Sequence, residues 1–214
     1  MAQLYGLDLR PFFDSRWQSF LPSLPPERQA AVQRRRSDAD RARTAGAGWL
    51  LQYALAQAGI APEEQVFQKT GLRKPFLPFH PQVQFNLSHS GHWAVCAVSH
   101  DPVGVDVEEP RCTMEIARRF FQPKELIGLD TLSEPQQRDQ LNRLWTAKEA
   151  FIKALGGGLT IPLNSFSVIL MENSAFLEQF CSPLPFELHE YSVENARICL
   201  CTTEKKPELT LITP

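Results

Sequence analysis

The most pointed chemistry in this chain of 214 residues is acidic and falls in two stretches. In the first, Gly104-Val105-Asp106-Val107-Glu108-Glu109, apolar and acidic residues alternate. Strand side chains alternate faces. A strand here turns Asp106 and Glu108 one way, Val105 and Val107 into a core, and Glu109 to the opposite face from the first two acids. Two carboxylates side by side repel unless a cation lies between them. Hard oxygen donors suit Mg²⁺, which is commonly held by one or two carboxylates together with phosphate oxygens of a substrate. The plainer reading is an exposed acidic strand end.

The second stretch runs Leu144-Trp145-Thr146-Ala147-Lys148-Glu149-Ala150-Phe151-Ile152-Lys153. It has no Gly or Pro and consists mostly of good helix formers. Glu149 and Lys153 share a helix face, Trp145 and Ile152 can anchor the helix to a core, and Gly156-Gly157-Gly158 stops it. Alone, Glu149 and Lys153 read as a surface pair, worth ~0.3–0.5 kcal/mol. Beside the acidic strand, Glu149 becomes the third carboxylate of a divalent-cation site.

The elements that must position these residues follow from pattern. Leu4 to Leu9 reads as a strand. Residues 27–58 are helical, with a break near Ser37-Asp38, and Gly59-Ile60-Ala61-Pro62 ends that region. Val66-Phe67-Gln68 reads as a short strand, and Gly71 to Pro81 as a Pro-rich connector. Residues 83–87 and 93–98 form a strand pair, joined by a turn at Ser88-His89-Ser90-Gly91 that offers hydroxyls, an imidazole and backbone N–H groups to a phosphate. The acidic strand follows, then a short helix over 116–121 and a segment over 123–129. Residues 130–138 are polar and expected to be mobile, and the signature helix spans about 136–155. Strands are predicted at 166–171, 186–191 and 196–202, with a loose tail from Pro207. The order of long helix, strand and strand pair thus occurs twice, over 27–100 and 136–203.

Composition sets bounds. Net charge is −2 and the pI near 6.2, which gives no reason to expect a nucleic-acid or anionic-membrane partner. No apolar run approaches a membrane span, and the N-terminal residues lack the pattern of a signal peptide. A cytoplasmic protein is expected. Cys96, Cys112, Cys181, Cys199 and Cys201 are odd in number with no Cys-x-x-Cys, so they read as reduced thiols and not as a zinc site.

Gly-Val-Asp-Val-Glu, then about forty residues, then Trp-Thr-Ala-Lys-Glu-Ala-Phe-Ile-Lys-Ala-Leu-Gly-Gly-Gly-Leu resembles the signature pair of the 4′-phosphopantetheinyl transferases, in the Sfp-type branch. The resemblance implies an α+β fold of two similar α/β lobes about a pseudo-twofold axis, with the active site at the lobe interface. Residues 1–102 would form the nucleotide side and 103–214 the metal and catalytic side. It implies Mg²⁺-dependent transfer of 4′-phosphopantetheine from coenzyme A to a serine of apo carrier proteins (acyl, peptidyl or aryl carrier domains), such as those of peptide and polyketide synthases. Adenosine 3′,5′-bisphosphate would leave, and the enzyme would act as a monomer. Asp106, Glu108 and Glu149 would converge on Mg²⁺, or on Mn²⁺ in its place, with Asp106 facing solvent and metal. Glu149, or a water beside Glu108, would accept the serine proton. Lys153 would offset charge on the departing bisphosphate.

For the nucleotide, Asn-Leu-Ser-His-Ser-Gly resembles a third family motif, which carries over to Ser88 and His89. Arg73-Lys74-Pro75 resembles Gly-Lys-Pro and points to Lys74, with Arg73 in place of the Gly. Arg43-Thr44 resembles the family's Arg-Thr. Arg28 matches the first of two basic residues three apart. The second falls on Ala31, and Arg34 or Arg35 would have to supply that contact. The carrier's acidic helix would meet Met114, Phe120, Phe121 and Leu126, flanked by Arg118, Arg119 and Lys124. The competing readings are the short trimeric acyl-carrier-protein synthase branch, a non-catalytic carrier-protein or coenzyme A binding module of the same fold, and an unrelated Mg²⁺-dependent phosphohydrolase.

Overall fold

A computed structural model describes residues 1–69, 74–157 and 160–214. Gly71 and Arg73 of the predicted connector and Gly158 of the predicted helix stop lie outside the described residues. In chain order the elements are β1 (Gln3–Asp8), α1 (Trp17–Phe20), α2 (Pro26–Gln33), α3 (Asp38–Gln57), β2 (Gln84–Ser90), β3 (Trp93–Ser99) and β4 (Val103–Glu108). They continue with α4 (Met114–Phe120), α5 (Glu134–Leu155), β5 (Ser167–Leu170), β6 (Ala175–Glu178), β7 (Glu187–Val193), β8 (Ala196–Thr202) and β9 (Leu209–Ile212). The strands make two sheets, in the orders β2-β3-β1-β9 and β4-β8-β7-β6-β5.

Strand alternation builds four layers from these sheets. In the first sheet Tyr5, Leu7, Cys96 and Val98 pack against Leu51 and Leu55 of α3. In the second, Leu188, Cys199 and Cys201 pack against α5 through Leu144, Ala147 and Phe151. The intervening residues turn the other way: Leu4, Val95 and Ala97 meet Val105, Val107, Ile198 and Leu200 in a third core between the sheets. Each lobe is thus a long helix on a sheet, and the two sheets bury their remaining faces against each other. Val105 and Val107 enter this shared core as the alternation predicts, which leaves Asp106 and Glu108 on the α5 side of β4.

The predicted helical break is real. Ser37 is extended, and its Oγ accepts a hydrogen bond from the Asp40 N–H at 3.0 Å, capping α3. Gly156 ends α5 in the left-handed conformation at φ 75°. Four expectations are corrected. Val66-Phe67-Gln68 is not a strand, since only Gln68 bridges, to Phe76. Residues 130–138 are ordered by a helical turn over Leu129–Thr131 and by the start of α5, where Ser133 and Gln136 form a capping box. An unpredicted short strand, β6, lies between β5 and β7. The tail is not loose: β9 pairs in parallel with β1, Leu4 opposite Leu209 through Leu7 opposite Ile212. Its approach is anchored by Tyr191, whose hydroxyl donates to the Pro207 carbonyl at 2.6 Å. Among the described residues no helix is long and apolar enough to cross a membrane.

Helix α5 lies directly on β4 at Gly104. A Cβ there would run into the Ala150 carbonyl oxygen and the Ala154 backbone, atoms that cannot rotate away. Gly104→Ala is therefore expected to destabilise the fold by ~1–3 kcal/mol, the usual cost of overpacking, and to lower activity by lifting α5 off the acidic strand. Urea unfolding of the variant checks this, and an unchanged midpoint would contradict the close approach.

Candidate active site

The two sheets meet at their edge strands, β2 and β4, which run side by side in the same direction. Side chains join them. Asn86 Oδ1 accepts from the Val105 N–H at 2.8 Å, Ser88 Oγ donates to Asp106 Oδ1 at 2.7 Å, and Ser90 Oγ donates to Glu108 Oε2 at 2.6 Å. This seam corrects the predicted turn at 88–91. Ser88, His89 and Ser90 belong to β2, paired with Val95, Ala94 and Trp93 of β3, and the reversal falls at Gly91-His92, with Gly91 at φ 54°. What the segment presents is therefore a strand's alternating side chains: two serines toward β4 and His89 on the other face. Ser88, expected beside the nucleotide, has its hydroxyl on Asp106 and accepts from Lys153 Nζ at 3.1 Å.

Asp106 is not solvent-facing as expected but 2% exposed. Its Oδ1 also receives Lys153 Nζ at 2.5 Å, while its buried Oδ2 has no partner. Glu108 is buried too, and its Oε1 carries Arg111. Burial, with the Asp106 charge beside it, pushes the Glu108 carboxyl up to about 7 against the opposing pull of Ser90, Arg111 and Lys153. Glu149, on α5, is raised by the same two causes, burial and the Asp106 charge, and lowered by Lys153 and Arg111. Glu109 is apart, its Oε1 accepting from the His92 N–H at 3.0 Å.

The three carboxylates thus share one electrostatic environment, but their tight convergence on a common point is not found. No group of three acidic, His or Cys side chains among the described residues is close enough to hold an ion as it stands. The physical reason is that like charges separate, and Lys153 and Arg111 each draw a carboxylate to themselves. The donor set nevertheless fits a hard dication: three acidic oxygen donors, two with raised pKa values, and an unpartnered oxygen on Asp106.

A cationic cleft of about 570 Å³ lies between α2, β2 and the segment around residue 67, and it reaches the acidic strand through Lys74 and Asn86, which bond the Val103 carbonyl and the Val105 N–H. Arg28, Arg34, Lys69 and Lys74 line it, with Phe67 and Phe85 as apolar walls. The Arg28 guanidinium stands 5.8 Å from the centre of the Phe67 ring, and burial lowers its pKa. Lys74 Nζ donates to the Val103 carbonyl at 2.6 Å, and burial lowers the amine to about 8. Ala31 lines the cleft, and so does Arg34 one turn on. Arg35 points elsewhere, donating to Thr44 Oγ1 at 3.1 Å, while Thr44 donates to the Asp40 carbonyl at 2.7 Å. Arg43 pairs with Asp40 at 2.8 Å. Burial, then the charges of Arg43, Arg35 and Lys153, lower the His89 pKa, and those three cations are the charges that bear on its ring.

Beyond β4, Phe121 is core, packed on Trp145. Phe120 is 40% exposed beneath Arg119. Arg118 and Lys124 make exposed ion pairs with Asp130 and Glu178. Lys148, inside the signature stretch, is fully buried: its Nζ reaches Glu125 Oε1 at 2.8 Å and the carbonyls of Leu163 and Phe166 at 2.8 and 3.0 Å. It holds the segment after α4 onto α5 and takes no part in the cleft. Sequence reasoning gave Asn86 and Arg111 no part in the site and put Ser90 in a turn. Reading β2 through to residue 90 would have placed Ser90 beside Ser88 by the period of two.

The sequence model of the 4′-phosphopantetheinyl transferase superfamily matches residues 102–202, and that of the 4′-phosphopantetheinyl transferase N-terminal region matches residues 11–101. The 4′-phosphopantetheinyl transferase psf-1 of Bacillus pumilus is 35% identical over 96% of this chain and 91% of its own. The 4′-phosphopantetheinyl transferase Sfp of Bacillus subtilis (strain 168) is 31% identical over 98% and 97%. A further 4′-phosphopantetheinyl transferase of Bacillus subtilis is 37% identical over 80% and 78%. Two matched halves that meet between β3 and β4, and relatives aligned over nearly the full length, make this chain a member of the 4′-phosphopantetheinyl transferase family, of the Sfp type.

Proposed function

We propose that the chain moves the 4′-phosphopantetheine group of coenzyme A onto a serine of an apo carrier protein and releases adenosine 3′,5′-bisphosphate, with Mg²⁺ as its metal. The observation that carries this reading is a cationic cleft in the first half whose lining residues Lys74 and Asn86 bond the strand that bears the buried carboxylates. In residues 1–102, Arg28, Arg34 and Lys74 receive the nucleotide's phosphates, and His89 with Arg43 meets the 3′-phosphate. Thr44 orients Arg35 beside them. In residues 103–214, Asp106, Glu108 and Glu149 would hold Mg²⁺, which supplies positive charge to the pyrophosphate being cleaved.

Glu149, or a water beside Glu108, would accept the serine proton. Lys153, now on Asp106, is the cation for the departing bisphosphate, whose charge grows in the transition state. The carrier's acidic helix is received on the segment after β4, where Phe120, Arg118, Arg119 and Lys124 are exposed and Met114 and Leu126 partly so. The carriers are acyl, peptidyl or aryl carrier domains, and the chain works as a cytoplasmic monomer, which its five unpaired cysteines suit.

The test is the intact mass of apo carrier proteins after incubation with coenzyme A and Mg²⁺. One phosphopantetheine should be gained, none in excess chelator, and Asp106→Asn, which keeps the shape of a buried side chain, should lower turnover by orders of magnitude. Full transfer in excess chelator would overturn the metal assignment. For the nucleotide, His89→Ala should weaken coenzyme A about ten-fold or more, the size of a lost charge-assisted hydrogen bond, while dephospho-coenzyme A changes little. Binding of both ligands by calorimetry decides this, and equal losses would count against a contact with the 3′-phosphate.

A further inference from the structure

One cation at the carboxylate cluster has no part in the chemistry above. Arg111 lies three residues past Glu108, between β4 and α4, and its guanidinium is on Glu108 Oε1. The carboxylates differ oxygen by oxygen. Asp106 has Oδ1 engaged by Ser88 and Lys153 and Oδ2 without a partner. The causes that set the Glu149 pKa include no hydrogen bond at all. Glu108 has both oxygens taken, Oε2 by Ser90 and Oε1 by Arg111. Its two partners are unequal. Ser90 is fixed within β2 and 8% exposed, whereas the Arg111 side chain is 66% exposed on an irregular segment. Released from Glu108, Arg111 regains water that Ser90 could not, so Arg111 is the partner that yields.

We propose that Arg111 is a resident counter-ion of Glu108, a positioning residue that a divalent cation must displace before Glu108 can ligate it. This rests on the metal reading given under Proposed function. While Arg111 is in place it sets a positive charge against the buried carboxylate and holds Glu108 directed along the seam. The same contact competes with the metal. The chain therefore binds its metal more weakly than its three carboxylates alone would, and deleting the competing charge strengthens binding where deletion of a merely structural residue would weaken it.

The test is Mn²⁺ titration of the folded protein at low ionic strength, without coenzyme A or carrier, followed by calorimetry or by the electron paramagnetic resonance of free Mn²⁺. Arg111→Gln should tighten Mn²⁺ roughly three- to ten-fold, the effect expected of one cation near a metal at a partly solvated site. Arg111→Lys should bind as the wild type does. In a Glu108→Gln background, Arg111→Gln should have no effect, because the interaction it relieves is absent. Thermal melts by circular dichroism establish that each variant is folded. Unchanged or weaker Mn²⁺ binding by Arg111→Gln, with the wild type binding normally, would overturn the counter-ion role and leave the metal reading standing. Failure of the wild type and the variants alike to bind Mn²⁺ at millimolar concentration would overturn both.

Discussion

Everything in this molecule turns on two carboxylates buried at the join of two sheets. A carboxylate withdrawn from water without partners is strongly unfavourable, yet Asp106 and Glu108 are both almost fully buried. They are tolerated because each has a cation from its own half, Lys153 on Asp106 and Arg111 on Glu108, and a hydroxyl from the neighbouring lobe, Ser88 on Asp106 and Ser90 on Glu108. Such bonds to a charged acceptor are worth about 1.5–3 kcal/mol each. The same contacts that dock the lobes therefore aim the acids. Asn86, which takes the Val105 N–H, continues the seam where no backbone ladder joins the strands.

From this follows the division of labour between faces. The shared core of Val105, Val107, Ile198 and Leu200 against Leu4, Val95 and Ala97 holds the sheets together, so the opposite face of β4 is free to carry polar groups under α5. Gly104 lets α5 approach closely enough for Lys153 to reach Asp106 and for Glu149 to feel its charge. On the other lobe, the serines of β2 point into the seam and His89 points away, toward Arg35 and Arg43. One strand thus serves a carboxylate cluster with one face and a cationic field with the other.

Much of this was legible in the sequence because strand and helix periods are strong local signals. Alternation in 103–108 assigned Asp106 and Glu108 one face. The spacing of Glu149 and Lys153 assigned them one helix face, and the break near Ser37-Asp38 divided α2 from α3. What was not legible depended on partners distant in the chain. Residues 88–90 carry turn-forming types but are held as strand by pairing with β3. The tail from Pro207 has little local signal and becomes β9 only by pairing with β1, some two hundred residues earlier. Arg111 and Ser90 have no signature of their own. Their importance comes from the Glu108 oxygens they occupy, which only the docked lobes reveal.

The central claim is that the seam orients the carboxylates proposed to hold the metal, and Ser90 tests it most directly because it is absent from the lining of the cationic cleft and its hydroxyl donates to the Glu108 carboxylate and, more distantly, accepts from the Glu109 N–H. Steady-state transfer to an apo carrier by Ser90→Ala should show kcat reduced about ten-fold or more, as loss of a hydrogen bond to a charged group implies, with KM for coenzyme A near that of the wild type. A wild-type kcat in this variant, with the protein folded, would show that Glu108 needs no help from across the seam and would contradict the account.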